Sequence, residues 1–541
     1  MAPPSTIAEP AAAQAPAASA PGNGPPAPAG GSRAAVTARS LVGGVALNYL
    51  GMAIASGIGF FLTPYMIHRL GSTSFGVLML STAMLNYATL LDFGIGLSVM
   101  KLVADRAHEE DKGGIQRLVS TVLVLYALVG AVIVVAALAL YGPISGQFHV
   151  PAGEQEAFRW CYVCATLAIG LTFPYSVFTA VITGHRDFAL QNRFVILQSL
   201  VSAIGTVVVL ELGYGVIAVA VLNLGVALAQ FVIKVGVVHA RYAVRFTRRH
   251  IDRGVLPSVL AFASWVFVIN VASKIIFDTD TIVVGALLGP AAVAIYQVAL
   301  SPNVVLRKFG EQFNVVALTG SSSLHAQGRA AAVRRLFLES TRMTAVIMLP
   351  FAIVFGAWGH EFVALWVGPA FHEADHALLY LALAMTAIAI QGTASQIIMA
   401  HSRHRIMAIA TLVEAAANLA LSVVLGRRYG IEGVALGTLL PTLVTAFAVA
   451  LPYAARLTGS TLRDVAVRLG PPLLGAAVLT VAGRLLADAH DFGSMLVLIV
   501  ASAVLMIGFI TANILLFAPE RDTYITMVRE RLGRTRRRVP A

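Results

Sequence analysis

Residues 118–141 read LVSTVLVLYALVGAVIVVAALALY, twenty-four in succession without a charged side chain. The hydrocarbon core of a bilayer is about 30 Å thick, and roughly 20 helical residues cross it at about 1.5 Å each. Hydrocarbon offers no partner for an open N–H or C=O, so a run of this kind must be a helix that satisfies its own backbone. The reading of the whole chain follows from this stretch, because it is repeated on either side.

The other expected spans are 41–66, 75–99, 158–181, 190–211, 215–237, 258–286, 291–316, 338–358, 376–399, 405–426, 433–455, 466–486 and 494–517. With 117–141 they make about fourteen. Gly57, Pro64, Pro174 and Pro441 fall inside spans; neighbouring helices can satisfy the backbone groups such residues free. Composition agrees: hydrophobic residues are 58% of the chain, charged ones 12%, and mean hydropathy is +0.81. These values exclude an ordinary water-soluble protein.

The net charge of +12 could suggest a nucleic-acid partner, but its distribution argues otherwise. With the N-terminus placed in the cytoplasm, 30 of the 38 Lys and Arg fall in inner segments, five in outer ones, and Lys274, Arg307 and Lys308 inside spans. That asymmetry orients a membrane protein, here with both termini cytoplasmic and 359–375 outside. Residues 1–40 are rich in Ala, Pro and Gly and lack a basic region followed by an apolar one, so they read as a disordered cytoplasmic tail. Residues 518–541 form a basic tail, suited to anionic membrane lipid.

The two halves repeat. Arg69 to Val77 resembles Leu287 to Ile295, 218 residues on, and His185 with Arg186 resembles His401 with Arg403. Tyr214 to Val219 resembles Tyr429 to Val434, 215 residues on. Six spans separate the copies, an even number, so the repeat is parallel, about an axis along the membrane normal. The expected organisation is an N-lobe over 41–240 (spans 1–6), a C-lobe over 241–456 (spans 7–12), and two extra spans over 457–517. Two six-helix lobes around a shared cavity suit alternating access.

At this point the residues resemble a family. Arg69 to Gly76 with Asp92 to Gly96, Asp280 to Gly285 with Leu288, Gly289 and Tyr296, Ala364 to Gly368 with Phe371, and Glu414 to Asn418 followed by Gly430 to Thr438 are similar to Wzx-type polysaccharide exporters. Those exporters and other lipid-linked-oligosaccharide flippases form part of the MOP (MATE-like) superfamily. The resemblance covers roughly 41–517. It implies an all-α, polytopic flippase of the inner membrane, not an enzyme, serving O-antigen, exopolysaccharide or capsule synthesis. It implies a lipid-linked oligosaccharide as substrate, admits a polysaccharide polymerase and export machinery as partners, and asks for no cofactor. A cation-coupled small-molecule exporter of the same superfamily is the alternative. A membrane glycosyltransferase or polymerase is a further one, although it would want larger outer loops.

Charges within spans are costly and are therefore candidates for function. Lys274, Asp278 and Thr281 fall on one face of span seven, with Asp280 roughly opposite. In span eight Arg307 and Lys308 lie one turn from Glu311. One reading is self-neutralised pairs that hold helices together. The other is a cationic cavity for a lipid pyrophosphate, with Lys274, Arg307 and Lys308 as ligands and Asp278, Asp280 and Glu311 as balance. Arg takes phosphate through a bidentate fork and Lys as a point charge. The aligned first-half positions, Ser56 and Phe60, are uncharged, which favours a specialised site. Asp92 and Glu414 are single carboxylates that could couple an ion, or serve packing. Asn48, Gln391, Gln396 and Asn418 could meet sugar hydroxyls or bond between helices. Three weaker patterns are also present. The pair Asp278 and Asp280 could mimic a metal–nucleotide motif. Cys161 and Cys164 have redox spacing without the fold it needs. His360, Glu361, His372, Glu373, Asp375 and His376 crowd one outer segment.

Overall fold

The computed structural model describes residues 31–517 except 110, 328, 402, 490 and 491, and leaves out certain side chains, among them those of 31–50, 258–270 and 312–323. The basic C-terminal tail and residues 1–30 lie outside the described set. Residues 31–40, expected as tail, are instead helical; the stretch carries Ala34, Ala35 and Ala38, good helix formers.

The described residues are helical throughout, with no strand among them. In chain order the helices are α1 (Gly31–Asn86), α2 (Ile95–His108), α3 (Lys112–Ser145), α4 (Gln155–Gly184), α5 (Phe188–Glu211), α6 (Val216–Tyr242) and α7 (Leu256–Leu288). They continue with α8 (Pro290–Ala326), α9 (Ala330–Trp366), α10 (Ala374–Ala400), α11 (His404–Val444), α12 (Leu451–Thr458), α13 (Leu462–Ala489) and α14 (Met495–Phe517). Ten helical stretches among the described residues are long and apolar enough to cross a membrane. The chain is therefore a multi-pass membrane protein. The two longest of those stretches, Ile54–Asp92 and Arg405–Thr458, each contain a kink, at Gly71 and Gly430.

The repeated motif carries one geometry. Gly71 (φ 80°, ψ 162°) and Gly289 (φ 84°, ψ 176°) both turn the chain between consecutive helices in a conformation a side chain would oppose. Span two, expected unbroken over 75–99, is interrupted. Its α-helix stops at Asn86, a tighter 3₁₀ stretch runs over Tyr87–Asp92, and Phe93 and Gly94 are left-handed before α2 begins. The cause is local: Gly94 at φ 75° relieves the turn, and Asp92 takes a hydrogen bond from the Tyr126 hydroxyl. Broken helices are tolerated at membrane depth only where protein or a wet cavity lines the break.

The packing separates two ends of the bundle. At the end carrying Gly71, Gly289 and Trp366, helices of both halves share one core: Ile67, Phe75, Leu80, Phe158, Val284, Tyr296, Trp358 and Leu378 are buried together. At the opposite end there are two cores. One draws only on α2 to α6 and the residues just after, through Val99, Leu118, Phe173 and Val238. The other draws only on helices from α9 onward, through Phe337, Ile390, Ala454 and Leu469. Among the described residues the halves thus share one core at one end and keep separate cores toward the other, with α2 still meeting α7. The shared core is a tight seal: a Cβ placed on Gly76 would fall 1.8 Å from the Pro290 carbonyl oxygen. Beside it Phe60 stacks on Trp366 with centroids 4.6 Å apart.

Candidate functional site: a charged cavity between the halves

Between the halves, α7 and α8 present their charges. Lys274 Nζ lies 2.5 Å from Asp278 Oδ2, one turn along α7. Arg307 Nη1 lies 3.0 Å from Glu311 Oε1, one turn along α8. The Arg307 guanidinium also sits over the Phe277 ring, 4.4 Å from its centroid, a cation–π contact. Lys274, Asp278, Phe277 and Arg307 line a cavity of about 340 Å³, and Thr89 and Leu90, at the break of span two, close its far wall. An adjoining cavity of about 180 Å³ shares Phe277, Asp278 and Arg307 and adds Asn86, Thr281 and Gln297. Both halves contribute, and the interrupted helix is one face of the site. Tyr87 fastens the wall by hydrogen-bonding Thr279 and the Lys274 carbonyl.

Of the expected cationic residues, the structure brings Lys274 and Arg307 to one cavity. Lys308 is half-buried one position around α8 and is not among the residues lining either cavity. A step of about 100° around a helix separates adjacent residues, so the two cations cannot share one outlook. Asp278 lines both cavities, whereas Asp280 lines only the smaller one and is buried, accepting from Tyr296 Oη at 2.7 Å, Thr438 Oγ1 at 2.7 Å and Ser422 Oγ at 3.3 Å. Those contacts tie α7 to α8 and to both arms of the α11 hairpin. Asp278 and Asp280 have separate partners, so they do not form a metal pair, and among the described residues no three His, Cys, Asp or Glu gather as a metal site. His376, in the crowded outer segment, instead lies 3.0 Å from Glu432.

Glu414 is buried and accepts from Gln391 Nε2 at 3.1 Å and Thr442 Oγ1 at 2.9 Å. Asn418 donates to Thr438 Oγ1 at 3.0 Å. Gln391 and Asn418, weighed as sugar contacts, therefore make interhelical bonds. Asp92 is bonded to Tyr126 and lines a further cavity of about 560 Å³ within the first half, together with Thr172, Tyr175, Thr179 and Gln191.

Two cations near span ends are interior. Lys234, within the expected span 215–237, is wholly buried in α6. Its Nζ donates to Thr179 Oγ1 at 2.9 Å and Gln191 Oε1 at 3.2 Å and stands 3.8 Å from the Tyr175 ring centroid. A lysine three residues from a span's end is expected to reach out to the interface, and only the packing of α4 and α5 turns it inward. Arg342, near the start of the expected span 338–358, is likewise 2% exposed within α9.

Two helical halves that share one core at one end enclose a charged cavity between them. Solved structures share this fold. The fold matches the lipid II flippase MurJ in an inward closed conformation (TM-score 0.69, 15% identity, 86% of this chain and 98% of that one). It also matches an inward-facing multidrug resistance MATE transporter of the MOP superfamily (TM-score 0.63, 14% identity, 76% and 94%). The family model described as "Polysaccharide biosynthesis protein" matches residues 69–376, more than half of the chain. The chain belongs to that family. A relative, a putative O-antigen transporter of Shigella flexneri, is 24% identical over 398 residues, covering 72% of this chain and 92% of its own.

Proposed function

We infer that the protein is a flippase. It moves a polyprenyl-pyrophosphate-linked oligosaccharide across the inner membrane for surface polysaccharide synthesis, by alternating access and without enzymatic chemistry. The observation that carries this is the cavity holding Lys274 and Arg307 between two halves sealed at one end, in a chain of the polysaccharide biosynthesis family. The sugar head is too polar to cross hydrocarbon and needs a wet passage; the prenyl tail can stay in lipid. An O-antigen transporter and a lipid II flippase among the similar proteins favour this reading over a small-molecule exporter or a glycosyltransferase.

In the proposed mechanism Lys274 and Arg307 attract the pyrophosphate, with Lys308 adding long-range attraction. Asp278 and Glu311 occupy the cations when the site is empty, so substrate must displace them, and binding stays weak enough to release. Asp280, Glu414 and Asp92 are the carboxylates available for ion coupling. The lobes are 41–240 and 241–456, with 457–517 appended. If the termini are cytoplasmic, the end with separate cores faces the cytoplasm, the side from which substrate would load.

Orientation is checked by single cysteines at Ser323 and Ala370, labelled with an impermeant maleimide in intact cells. Ala370 should label and Ser323 only after permeabilisation; labelling of both from the same side refutes the span order. The function is checked by depletion. The lipid-linked oligosaccharide should accumulate on the cytoplasmic leaflet. Accumulation of unassembled sugar donor, or of completed oligosaccharide on the outer leaflet, points to an enzyme or a later step.

A further inference from the structure

Away from the central cavity, the first three turns of α9 and the first two of α13 enclose a second charged space of about 700 Å³. Arg334, Arg335 and Arg342 line it from α9, and Arg463 and Arg468 from α13. The carboxylates there are Glu339 and Asp464, so guanidinium groups outnumber them five to two.

The two acids hold the walls. Glu339 bridges the helices, 2.8 Å from Arg468 Nη1 and 3.6 Å from Arg342 Nη1. Asp464 lies 2.8 Å from Arg334 Nη2 and accepts from the Thr461 backbone N–H at 2.8 Å, capping α13. Arg342 donates to the Asn513 carbonyl at 2.5 Å, which ties α14 into the same corner. A row of solvated arginines at a membrane surface would only orient the protein. This cluster is concave, built on helices rather than loops, and includes a buried member. Two carboxylates among five guanidinium groups leave the hollow with an excess of positive charge, which an anion would offset. The guanidinium fork suits phosphate oxygens.

A second observation narrows the anion. On α13, Val467 (which lines the cavity), Leu474, Val478, Val481 and Leu485 are each more than 60% exposed. Their spacing puts them along one face, running from the arginines toward the far end of the helix. That face is lipid-facing, as the exposed faces of α3 and α14 are, so acyl chains lie directly beside the arginine cavity, whereas a free phosphate would engage the arginines alone. An amphiphile with a phosphate head and acyl chains satisfies both.

We propose that the α9–α13 arginine cavity is a binding site for the headgroup of an anionic phospholipid, whose chains lie along the exposed face of α13. Basic pockets between membrane helices recognise such headgroups. The lipid bridges α9 and α13 and so fastens the α13–α14 pair to the second half. The site is independent of what the central cavity carries.

The test uses the purified full-length protein, delipidated in detergent and offered vesicles of phosphatidylglycerol, vesicles of phosphatidylcholine, or inorganic phosphate. Bound lipid is counted by native mass spectrometry. Phosphatidylglycerol should be retained about tenfold more than phosphatidylcholine, the loss of one or two charge-assisted contacts being of that order. Arg335→Gln with Arg463→Gln, which leaves the ion pairs above intact, should erase the preference. Arg335→Lys with Arg463→Lys should keep part of it, because charge remains and the fork is lost. Equal retention of the two lipids overturns the proposal, and the wild-type protein alone decides this even if a variant misfolds. Displacement of phosphatidylglycerol by millimolar inorganic phosphate would assign the site to a free anion and overturn it too.

Discussion

Arg307→Ala is expected to cut glycan export about tenfold to hundredfold while the protein accumulates in the membrane at its normal level. A charge-assisted contact to a phosphate is worth about 1.5–3 kcal/mol, and each 1.4 kcal/mol is about tenfold in binding. The structure sharpens the comparison among the cations. Arg307 and Lys274 share the cavity, so Lys274→Ala should show a loss of similar sign. Lys308 is turned aside, so Lys308→Ala should do less. Arg307→Lys should rescue only partly, because one ammonium cannot replace a bidentate fork. Since Glu311 lies 3.0 Å from Arg307 and competes for its guanidinium, Glu311→Gln should strengthen substrate capture and slow release. The measurement is complementation of export in a depleted strain, with protein level read by blot. Normal accumulation with wild-type export in Arg307→Ala and Lys274→Ala alike defeats the cationic-cavity mechanism. Failure of both to accumulate means that the charges serve packing.

The second large effect belongs to the sealed end. Gly76→Val puts a branched side chain where even a Cβ would stand 1.8 Å from the backbone oxygen of Pro290. Backbone cannot step aside as a flexible side chain can, so the present arrangement must loosen. Overpacking typically costs about 1–3 kcal/mol, which shifts a two-state balance by roughly fivefold to hundredfold. The variant should favour the state in which the sealed end opens. Ala294, buried in the shared core, reports this when replaced by cysteine in a Cys161→Ser, Cys164→Ser background. Its labelling by an impermeant maleimide should rise at least several-fold, and export should fall, because the transporter no longer returns readily to load. Unchanged labelling together with wild-type export would mean that the Gly76–Pro290 contact does not gate the cycle.

These two predictions draw on different kinds of information. That residues 118–141 and the other apolar runs are helices follows from their length and lack of charge, since hydrocarbon leaves the backbone no alternative. The repeat was legible because a turn needing positive φ at Gly71 and Gly289 constrains residue type wherever it occurs. The pairing of Lys274 with Asp278, and of Arg307 with Glu311, was legible from helical spacing alone. So was the divergence of Asp278 and Asp280.

What lay beyond the sequence is what depends on other helices. A helix's own periodicity says which residues share a face, never what that face meets. Asp280, between Thr279 and Thr281, and Glu414, between Val413 and Ala415, are both simply carboxylates inside spans in the sequence. Their burial among Tyr296, Thr438 and Ser422, or Gln391 and Thr442, comes from the folded-back α11. Lys234 and Arg342 looked like interface residues because they stand near span ends, and neighbouring helices alone make them interior. The break at Tyr87–Asp92 fell inside one expected span, and Asn86, Asp92 and Gly94 within it do not by themselves say that the helix stops there. Apolar sequence records only that a segment leaves water, and that holds equally for a straight helix and for one interrupted beside a cavity. Membrane residence, helical class and the charged positions were thus determined by local chemistry. The sealed end, the separate cores at the other end and the choice of Arg307 over Lys308 as the cavity cation were decided by packing between segments far apart in the chain.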